Sequence, residues 1–382
     1  MTTPTPTLTD ALIDEVIDRY WREHDRYVKL ATRVGDLCRV LVADNTIRAQ
    51  VTYRAKDPDR LRGKLRKYQA DSKEAVSLTT TEAVFARIGD LSGVRITTYE
   101  ERDRSTVTQL LAEAFAGPGG ASAPMVDVKN KHDDDRANFY RATHCQVVLP
   151  ADELVGVYAN LRGLSCEVQV CSMLAHVWNE IEHDLRYKPF AGVLSLDEEE
   201  LIQQLGHLTI AGDTTIRLLI AAVDKRQQSQ TGAFTDAFDF VARLRDKFPV
   251  LTEFGRHAQQ VYEELLARGL DSPSKVEQHF RGENLAELQG AVDQFDKWLE
   301  ANEGKDSGYL ARTGADVLLM ALLRDSAQVI VDRHPAGRGH GRPPRIAWLA
   351  RRYIQMKESE AAAVQSPADA QSNDSSDVGG DE

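Results

Sequence analysis

The chain has 382 residues, 42% of them hydrophobic, which is enough to fill the cores of two domains of ordinary size. No run approaches the roughly 20 apolar residues of a transmembrane helix, and the first residues lack the basic and apolar regions of a secretory signal. A formal net charge of -12 argues against non-specific nucleic-acid binding by the whole surface. These features predict a cytoplasmic protein of two domains with no membrane partner.

The four cysteines, Cys38, Cys145, Cys166 and Cys171, form no CxxC pair, and three of them lie in predicted strands. This pattern is typical of small buried residues in a reducing compartment. It argues against a disulfide and against a zinc site.

Apolar residues recur near helical spacing from Leu8 to Val42, which predicts helix with one break or two separate helices. We expect residues 1–45 to form N-terminal helices that pack on the following domain. A strand from Ile47 to Tyr53 comes next, and then a helix with Pro58 in its first turn.

Basic side chains crowd the connection between that strand and that helix, where Asp57 is the expected helix cap. They are Arg54, Lys56, Arg60, Arg62, Lys64, Arg66 and Lys67. The cluster is consistent with a solvated basic helix. It is equally consistent with a polyphosphate clamp, because ammonium and guanidinium groups at such a turn can surround phosphate.

A loop with Asp90 between two glycines precedes a strand in which Val94 and Ile96 alternate with Arg95 and Thr97. Further on, residues 104–115 predict a helix, 127–140 a charged and mobile segment, and 142–149 another strand. This order of elements is typical of an α/β (α+β) domain with a small mixed sheet.

The stretch from Ser165 to Lys188 has the clearest pattern, a short strand that runs directly into a helix. In the strand, three apolar residues alternate with Glu167 and Gln169, so these two polar side chains should face away from the core. Ser172 stands at the N-cap position of the helix. An apolar stripe is expected to pack on the core: Leu174, Val177, Trp178, Ile181 and Leu185.

After residue 190 the pattern is helical as far as residue 357. The predicted helices span 197–227, 234–248, 251–268, 275–280, 285–301, 314–332 and 346–356. Arginines near Trp348 are consistent with a solvated loop or with a patch for nucleic acid or an acidic partner. From Glu358 the chain has seven acids and neither Lys nor Arg, which predicts a disordered acidic tail over 358–382.

Asp90 and Glu167 each stand beside a strand of the same predicted sheet, with positive charge nearby in the sequence. A hard cation such as Mg²⁺ takes one or two carboxylates and completes its coordination with phosphate and water. One carboxylate could also serve as the base for a hydroxyl nucleophile. The sequence therefore predicts a magnesium-nucleotide site.

Four motifs, in this order, resemble the synthetase domain of the RelA/SpoT-homologue family. They are Arg54-x-Lys56 with Lys64, IGDLSGVRI around Asp90, NFYRATH around Tyr140, and EVQVCS followed by HVWNEIEHDLRYK. The resemblance covers about residues 47–188, and we assign residues 46–190 to this domain. It implies a nucleotidyltransferase-like fold and a GTP/GDP 3′-pyrophosphokinase, which transfers the pyrophosphate of ATP to a guanosine 3′-hydroxyl and makes (p)ppGpp alarmones.

Residue by residue, the resemblance implies a donor site for ATP. Arg54 and Arg95 would hold the adenine between their planar groups, and Lys56 and Lys64 would meet the phosphates. The resemblance also implies the catalytic pair, with Asp90 binding Mg²⁺.

Glu167 would bind Mg²⁺ or take the proton of the acceptor hydroxyl. Tyr140 would stack on the acceptor base, and further acceptor contacts would come from Asn138, His144 and Gln169.

The sequence departs from the family pattern at Phe139, Arg60 and Cys171, near the acceptor pocket and the phosphate contacts. Only about fifty residues precede Arg54, so we expect a synthetase-only member without the hydrolase domain of the long members. The helical region over residues 191–357 could serve a homo-oligomer or a protein partner. Two alternatives stay open: pyrophosphorylation of the tRNA 3′ end, as in toxin-like members, and a non-catalytic nucleotide sensor.

Overall fold

The structure is a computed structural model that describes residues 8–131, 138–187, 194–247, 254–304, 310–335 and 344–365. The chain divides into two compact units. One consists of Met1–Ala43 with Ile47–Val223, and the other of Asp44–Thr46 with Asp224–Glu382. The first unit therefore extends beyond residue 190, where the predicted synthetase domain ends.

The described chain contains both helices and strands as far as residue 187. They are α1 (Asp10–Asp44), β1 (Ala49–Ala55), α2 (Pro58–Ala70), α3 (Ser72–Ser77), α4 (Thr81–Arg87), β2 (Ser92–Thr98), α5 (Asp103–Ala114), β3 (Met125–Asn130), β4 (Arg141–Val147), β5 (Cys166–Ser172) and α6 (Met173–Tyr187). Short 3₁₀ turns occupy Pro118–Gly120 and Gly156–Leu161. The helical prediction for the N-terminal region is confirmed, but α1 is a single unbroken helix where one break or two helices were expected.

The five strands form one mixed sheet in the order β1-β2-β5-β4-β3. Only β2 and β5 run parallel, and the other three neighbouring pairs are antiparallel. The small mixed sheet predicted from the sequence is confirmed.

One face of the sheet is apolar and packs under α1 and α5. Its core includes Val94, Ile96, Val168 and Val170 from the two parallel strands. From the helices it includes Leu30, Val34, Cys38, Val107, Leu110 and Leu111. The other face is left to polar side chains, because successive residues of a strand point to opposite sides.

The local signals around the basic connection act as predicted. The Asp57 side chain accepts hydrogen bonds from the backbone N–H groups of Asp59 and Arg60, so it caps α2. Pro58 lies in the first turn, where a missing N–H costs nothing.

Two predictions for this unit are wrong. Residues 125–130 form the edge strand β3, although the sequence from Asp127 onward predicted a mobile segment. The strand was missed because Met125, Val126 and Val128 are exposed, so no buried alternation marks it. The short helices α3 and α4 were also not predicted.

The apolar stripe predicted to bury α6 is right for Trp178, which is buried, and wrong for three of its residues. Val177, Ile181 and Leu185 are 47%, 39% and 40% exposed, whereas Asn179 and Glu182 are buried with Trp178 on the helix face that packs inward. The direction of the chain at the end of β5 sets which face of α6 turns inward. Asn179 can be buried on that face because its amide donates to the Arg141 carbonyl oxygen at 3.2 Å.

Every element described from residue 194 onward is a helix, as predicted. They are α7 (Leu196–Gln228), α8 (Ala237–Leu244), α9 (Ala258–Ala267), α10 (Pro273–His279), α11 (Leu285–Glu303), α12 (Gly314–Arg333) and α13 (Arg345–Gln365). The second unit has its own core, which includes Phe240, Phe295 and Leu322.

The predicted start of the acidic tail is corrected, because α13 continues through residue 358 to Gln365. The rest of the predicted tail lies outside the described residues. Within the described ranges, none of the helices has both the length and the apolar character of a membrane span.

Candidate active site

The polar face of the sheet gathers the candidate residues from four strands. Arg95 on β2 pairs with Gln169 on β5, and Gln169 pairs with His144 on β4, so the three side chains form one row. In the neighbouring row Glu167 lies between Gly93 and Gln146. Paired residues share a face, so all these side chains project to the same side.

Asp90 lies in the loop before β2 and holds two ammonium groups. Its Oδ2 accepts from Lys56 Nζ at 2.5 Å, and its Oδ1 accepts from Lys64 Nζ at 2.9 Å. Lys56 arrives from the end of β1, where its backbone N–H donates to the Leu91 carbonyl oxygen at 2.9 Å. Lys64 projects from the second turn of α2.

Lys56, Asp90 and Lys64 form a trio, and its charges decide the ionisation of Asp90 and Lys64. Burial disfavours the carboxylate of Asp90, but Lys56 and Lys64 outweigh burial and hold its pKa below the ordinary value. Burial likewise disfavours the ammonium of Lys64, but Asp90 holds the Lys64 pKa above its ordinary value. At neutral pH the group is one anion between two cations.

Each carboxylate oxygen of Glu167, on β5, has its own hydrogen-bond partner. Oε1 lies 3.2 Å from His144 Nδ1, and Oε2 accepts from Gln169 Nε2 at 2.6 Å. Burial opposes the carboxylate, yet the hydrogen bond from His144 and the contact with Gln169 keep its pKa below the ordinary value. Asp90 acts in the opposite sense, because the negative charges of the two carboxylates repel.

Tyr140 extends this arrangement into a relay. Its Oη lies 2.9 Å from His144 Nε2. A carboxylate can only accept, so His144 must donate from Nδ1 to Glu167 and, when neutral, accept at Nε2 from Tyr140. The relay therefore runs from the tyrosine hydroxyl through the imidazole to the carboxylate.

The half-buried ring of Tyr140 is held in place by its neighbours. Its backbone N–H donates to Asn138 Oδ1 at 3.1 Å, and Lys131 Nζ lies 5.5 Å from the ring centroid. Burial, with added repulsion from Cys171 and Glu167, raises the pKa of the Tyr140 hydroxyl, so it stays protonated at neutral pH.

The two arginines predicted to clamp adenine lie on one face of adjacent strands. Arg54 pairs with Gly93 and Thr52 with Arg95, so the arginines are diagonal neighbours. Arg95 Nη2 lies 2.8 Å from Glu180 Oε1, and Nη1 lies 3.3 Å from His176 Nε2. Burial and the nearby Arg95 charge lower the pKa of His176.

The donor set at the centre of this face suits a hard cation. Within the described residues no group of three or more His, Cys, Asp or Glu side chains is placed to hold a metal ion. Asp90 and Glu167 alone match the one or two carboxylates that Mg²⁺ takes when phosphate and water supply its other ligands. The residues present therefore fit a magnesium ion that arrives with a polyphosphate.

Two residues that support the site were missed. The buried Tyr20 donates from its hydroxyl to the Lys56 carbonyl oxygen at 2.6 Å and so anchors the end of β1. Gln146 packs against Gly89, where an added Cβ would lie 2.6 Å from its amide nitrogen. Tyr20 stands at helical spacing among apolar residues, so the sequence carried no signal of its second role.

Part of the sequence matches the model of a known protein region. Residues 53–191 match the model of the region found in RelA/SpoT proteins. No curated protein matches the chain. Residues 53–191 are therefore similar to the RelA/SpoT region, as the motifs predicted.

Several solved structures of low sequence identity are similar to part of this chain. Small alarmone synthetase 1 from Bacillus subtilis is 18% identical, with a TM-score of 0.41 over 55% of this chain and 99% of that one. A GTP pyrophosphokinase family protein from Streptococcus pneumoniae is 16% identical, with a TM-score of 0.41 over 54% of this chain and 95% of that one. The Bacillus subtilis enzyme bound to its product pppGpp is 16% identical, with a TM-score of 0.41 over 55% of this chain and 99% of that one.

Proposed function

We propose that this protein transfers pyrophosphate from ATP to the 3′-hydroxyl of GTP or GDP and so makes (p)ppGpp-type alarmones. One observation carries the proposal: within residues 53–191, the Tyr140–His144–Glu167 relay lies on the polar sheet face, and the Asp90 carboxylate of the Lys56–Asp90–Lys64 trio is close enough to repel that of Glu167. The relay is suited to a hydroxyl that must lose a proton. The trio is suited to a polyphosphate.

The donor side is built from β1, α2 and β2. Lys56 and Lys64 are held by Asp90, and their ammonium groups can exchange carboxylate for phosphate oxygens when ATP enters. Arg54 and Arg95 present planar guanidinium groups that suit stacking on adenine. The guanidinium group of Arg95 is held by its ion pair with Glu180.

The acceptor side is built from β4 and β5. Tyr140 offers a ring face on which the guanine can stack, with Asn138 and Gln169 next to it. The acceptor's 3′-oxygen attacks the β-phosphorus of ATP. The bond from that phosphorus to the oxygen that bridges it to the α-phosphorus breaks, and AMP leaves with that oxygen. Glu167 accepts the hydroxyl proton, because its lowered pKa keeps it ionised at neutral pH.

Asp90 and Glu167 would hold magnesium together with the phosphates, and the ion would supply neutralisation of charge on the transferring group. Phosphate oxygens that took over the ammonium groups of Lys56 and Lys64 would leave the oxygens of Asp90 available to such an ion.

The arginines near Trp348 do not add support for tRNA as the acceptor. Arg345 Nη2 lies 2.9 Å from Asp316 Oδ1, Arg351 donates to the His334 carbonyl oxygen at 2.7 Å, and Arg352 Nη2 lies 2.7 Å from Glu303 Oε1. These contacts assign the three side chains to the packing of their own unit.

The experiment that tests the proposal mixes the purified protein with ATP labelled in its β-phosphate, Mg²⁺ and one acceptor at a time: GDP, GTP or bulk tRNA. We expect label in guanosine 3′-pyrophosphates and AMP as the second product. Label in tRNA alone would support the toxin-like alternative. Nucleotide binding with no transfer to any acceptor would support the sensor alternative.

A further inference from the structure

Helix α7 lies outside the matched region of residues 53–191, yet it contacts the strands that carry the candidate acceptor site. Asp213 on this helix is buried, and its Oδ2 accepts from Arg141 Nη2 at 2.9 Å. The same oxygen accepts from Ser172 Oγ at 3.1 Å. Asp213 therefore joins the first residue of β4 to the last residue of β5.

Ser172 is itself a structural junction. Its Oγ accepts from the Ala175 backbone N–H at 3.0 Å and so caps α6. Asp213 thus ties three elements together at the point where β5 becomes a helix. Removal of its carboxylate leaves Arg141 as a nearly buried cation without this partner, and such a change is strongly destabilising in general.

A second contact with α7 is made by Phe139, the residue that precedes Tyr140. Phe139, which is fully buried, packs against α7 at Gly206, where an added Cβ would lie 2.2 Å from the Phe139 ring. Trp178 completes this contact, because its Nε1 donates to the Ile202 carbonyl oxygen at 3.0 Å. The glycine is required for the helix to approach the ring so closely.

Tyr140 therefore stands between two residues that α7 holds, Phe139 and Arg141. Its own hydroxyl reaches His144, and through it Glu167. A shift of either neighbour moves the Tyr140 ring and lengthens the bond to His144. The donor residue Lys56 directly follows β1 and Lys64 lies on α2, and Asp90 contacts both.

We propose that Asp213 and Gly206 of α7 are positioning residues for the acceptor nucleotide, acting through Arg141 and Phe139 on Tyr140. The inference rests on the proposed function. It assigns to a helix beyond the RelA/SpoT region a part in the affinity for a guanine nucleotide. The donor site does not depend on these two contacts.

The first test is Asp213→Asn, which keeps the size of the side chain and removes its charge. With the full-length protein, we expect the KM for GDP and GTP to rise about tenfold or more, because displacement of a positioning group by about 1 Å costs up to about 100-fold. The KM for ATP should stay within about twofold of the parent. Asp213→Ala should give the larger effect.

The matched control is Glu153→Gln, which breaks another nearly buried ion pair of the same unit. Glu153 accepts from Arg33 Nε at 2.8 Å and from Arg33 Nη2 at 2.5 Å, and its side chain is 8% exposed. We expect this variant to lower the melting temperature and leave the KM for the acceptor unchanged. Equal effects of the two variants on both KM values would reduce Asp213 to a general structural role and overturn the inference.

Gly206→Ala gives an independent test without any change of charge. The added methyl group forces the Phe139 ring to move, so the KM for the acceptor should rise while the KM for ATP does not. Gly290→Ala in α11 is the control, since a Cβ there meets nothing within 4 Å. Unchanged acceptor kinetics in both Asp213→Asn and Gly206→Ala would overturn the inference and leave the proposed function standing.

The failure of the proposed function looks different. A parent protein that neither turns over nor binds GDP or GTP rejects that function, and the inference falls with it. Binding of GDP, measured by calorimetry in the presence of a non-hydrolysable ATP analogue, separates the two cases.

Discussion

Glu167 on β5 pairs with Gly93 on β2, so the candidate base faces a position with no side chain. Gly93 in turn pairs with Arg54 on β1. The row therefore has a gap between a guanidinium group and a carboxylate, on the face where the phosphates of ATP are proposed to lie. A Cβ at Gly93 would meet only backbone oxygens, at 3.9 and 4.0 Å, which are ordinary contacts.

The first prediction follows from that gap. Gly93→Ala should fold with unchanged or slightly higher stability, because glycine in a strand interior is the less favourable residue. Transfer activity should fall, since the methyl group enters the space between Arg54 and Glu167. Thermal melting and turnover of the same preparation check the two halves. A loss of stability together with activity would show a packing effect instead.

The second prediction concerns the base. Glu167→Gln should reduce transfer by about 10² to 10⁴-fold, the usual effect of losing a general base. The structure adds a cost, because His144 and Gln169 both donate to this carboxylate and an amide can accept at only one of its two positions. Single-turnover rates measure the effect, with ATP binding as the control. Activity within a few-fold of the parent contradicts the assignment.

The third prediction concerns Asp90 and magnesium. Asp90→Asn should raise the Mg²⁺ concentration needed for half-maximal activity, because an amide is the weaker ligand for a hard cation. The measurement is a magnesium titration of turnover at saturating ATP. An unchanged titration curve would count against a metal role for Asp90.

The same residue predicts how stability depends on pH. The folded pKa of Asp90 is lowered, so the stability it contributes is present above its ordinary value of 3.8 and is lost as the pH falls through the folded pKa. We therefore expect the parent to melt above Asp90→Asn at pH 6 and the gap to narrow below pH 4. Melting curves of both proteins over this range give the comparison; a gap that stays constant refutes it.

The last prediction separates the two roles of Tyr140. Tyr140→Ala should raise the KM for the acceptor, because base stacking contributes about 1 to 3 kcal/mol. Tyr140→Phe keeps the ring and loses the bond to His144. It should lower kcat and leave that KM nearly unchanged.

The donor side is the control in both variants, so the KM for ATP should match the parent. Tyr140→Ala with full activity on GDP, GTP and tRNA would reject this placement of the acceptor pocket.

Much of the fold was readable in the sequence because its signals are local. The alternation around Glu167 and Gln169 placed both on the polar face of β5. Burial of the flanking residues Cys166, Val168 and Val170 confirms it. Asp57 and Ser172 act as the predicted caps. The motifs that predicted the RelA/SpoT region are likewise contiguous stretches, so they could be recognised without coordinates.

The tertiary structure decided what depends on contacts between distant segments. β3 is a strand only because β4 pairs with it, since its own exposed side chains carry no buried alternation. The buried face of α6 follows from the direction in which β5 delivers it, so the stripe with Val177 points outward against its hydrophobicity. The bond between Asp213 and Arg141 joins residues 72 positions apart, and such a pairing has no local pattern in a sequence. The sequence by itself determined which residues stand on the polar face, and the packing of α7 against the sheet decided how Tyr140 is held there.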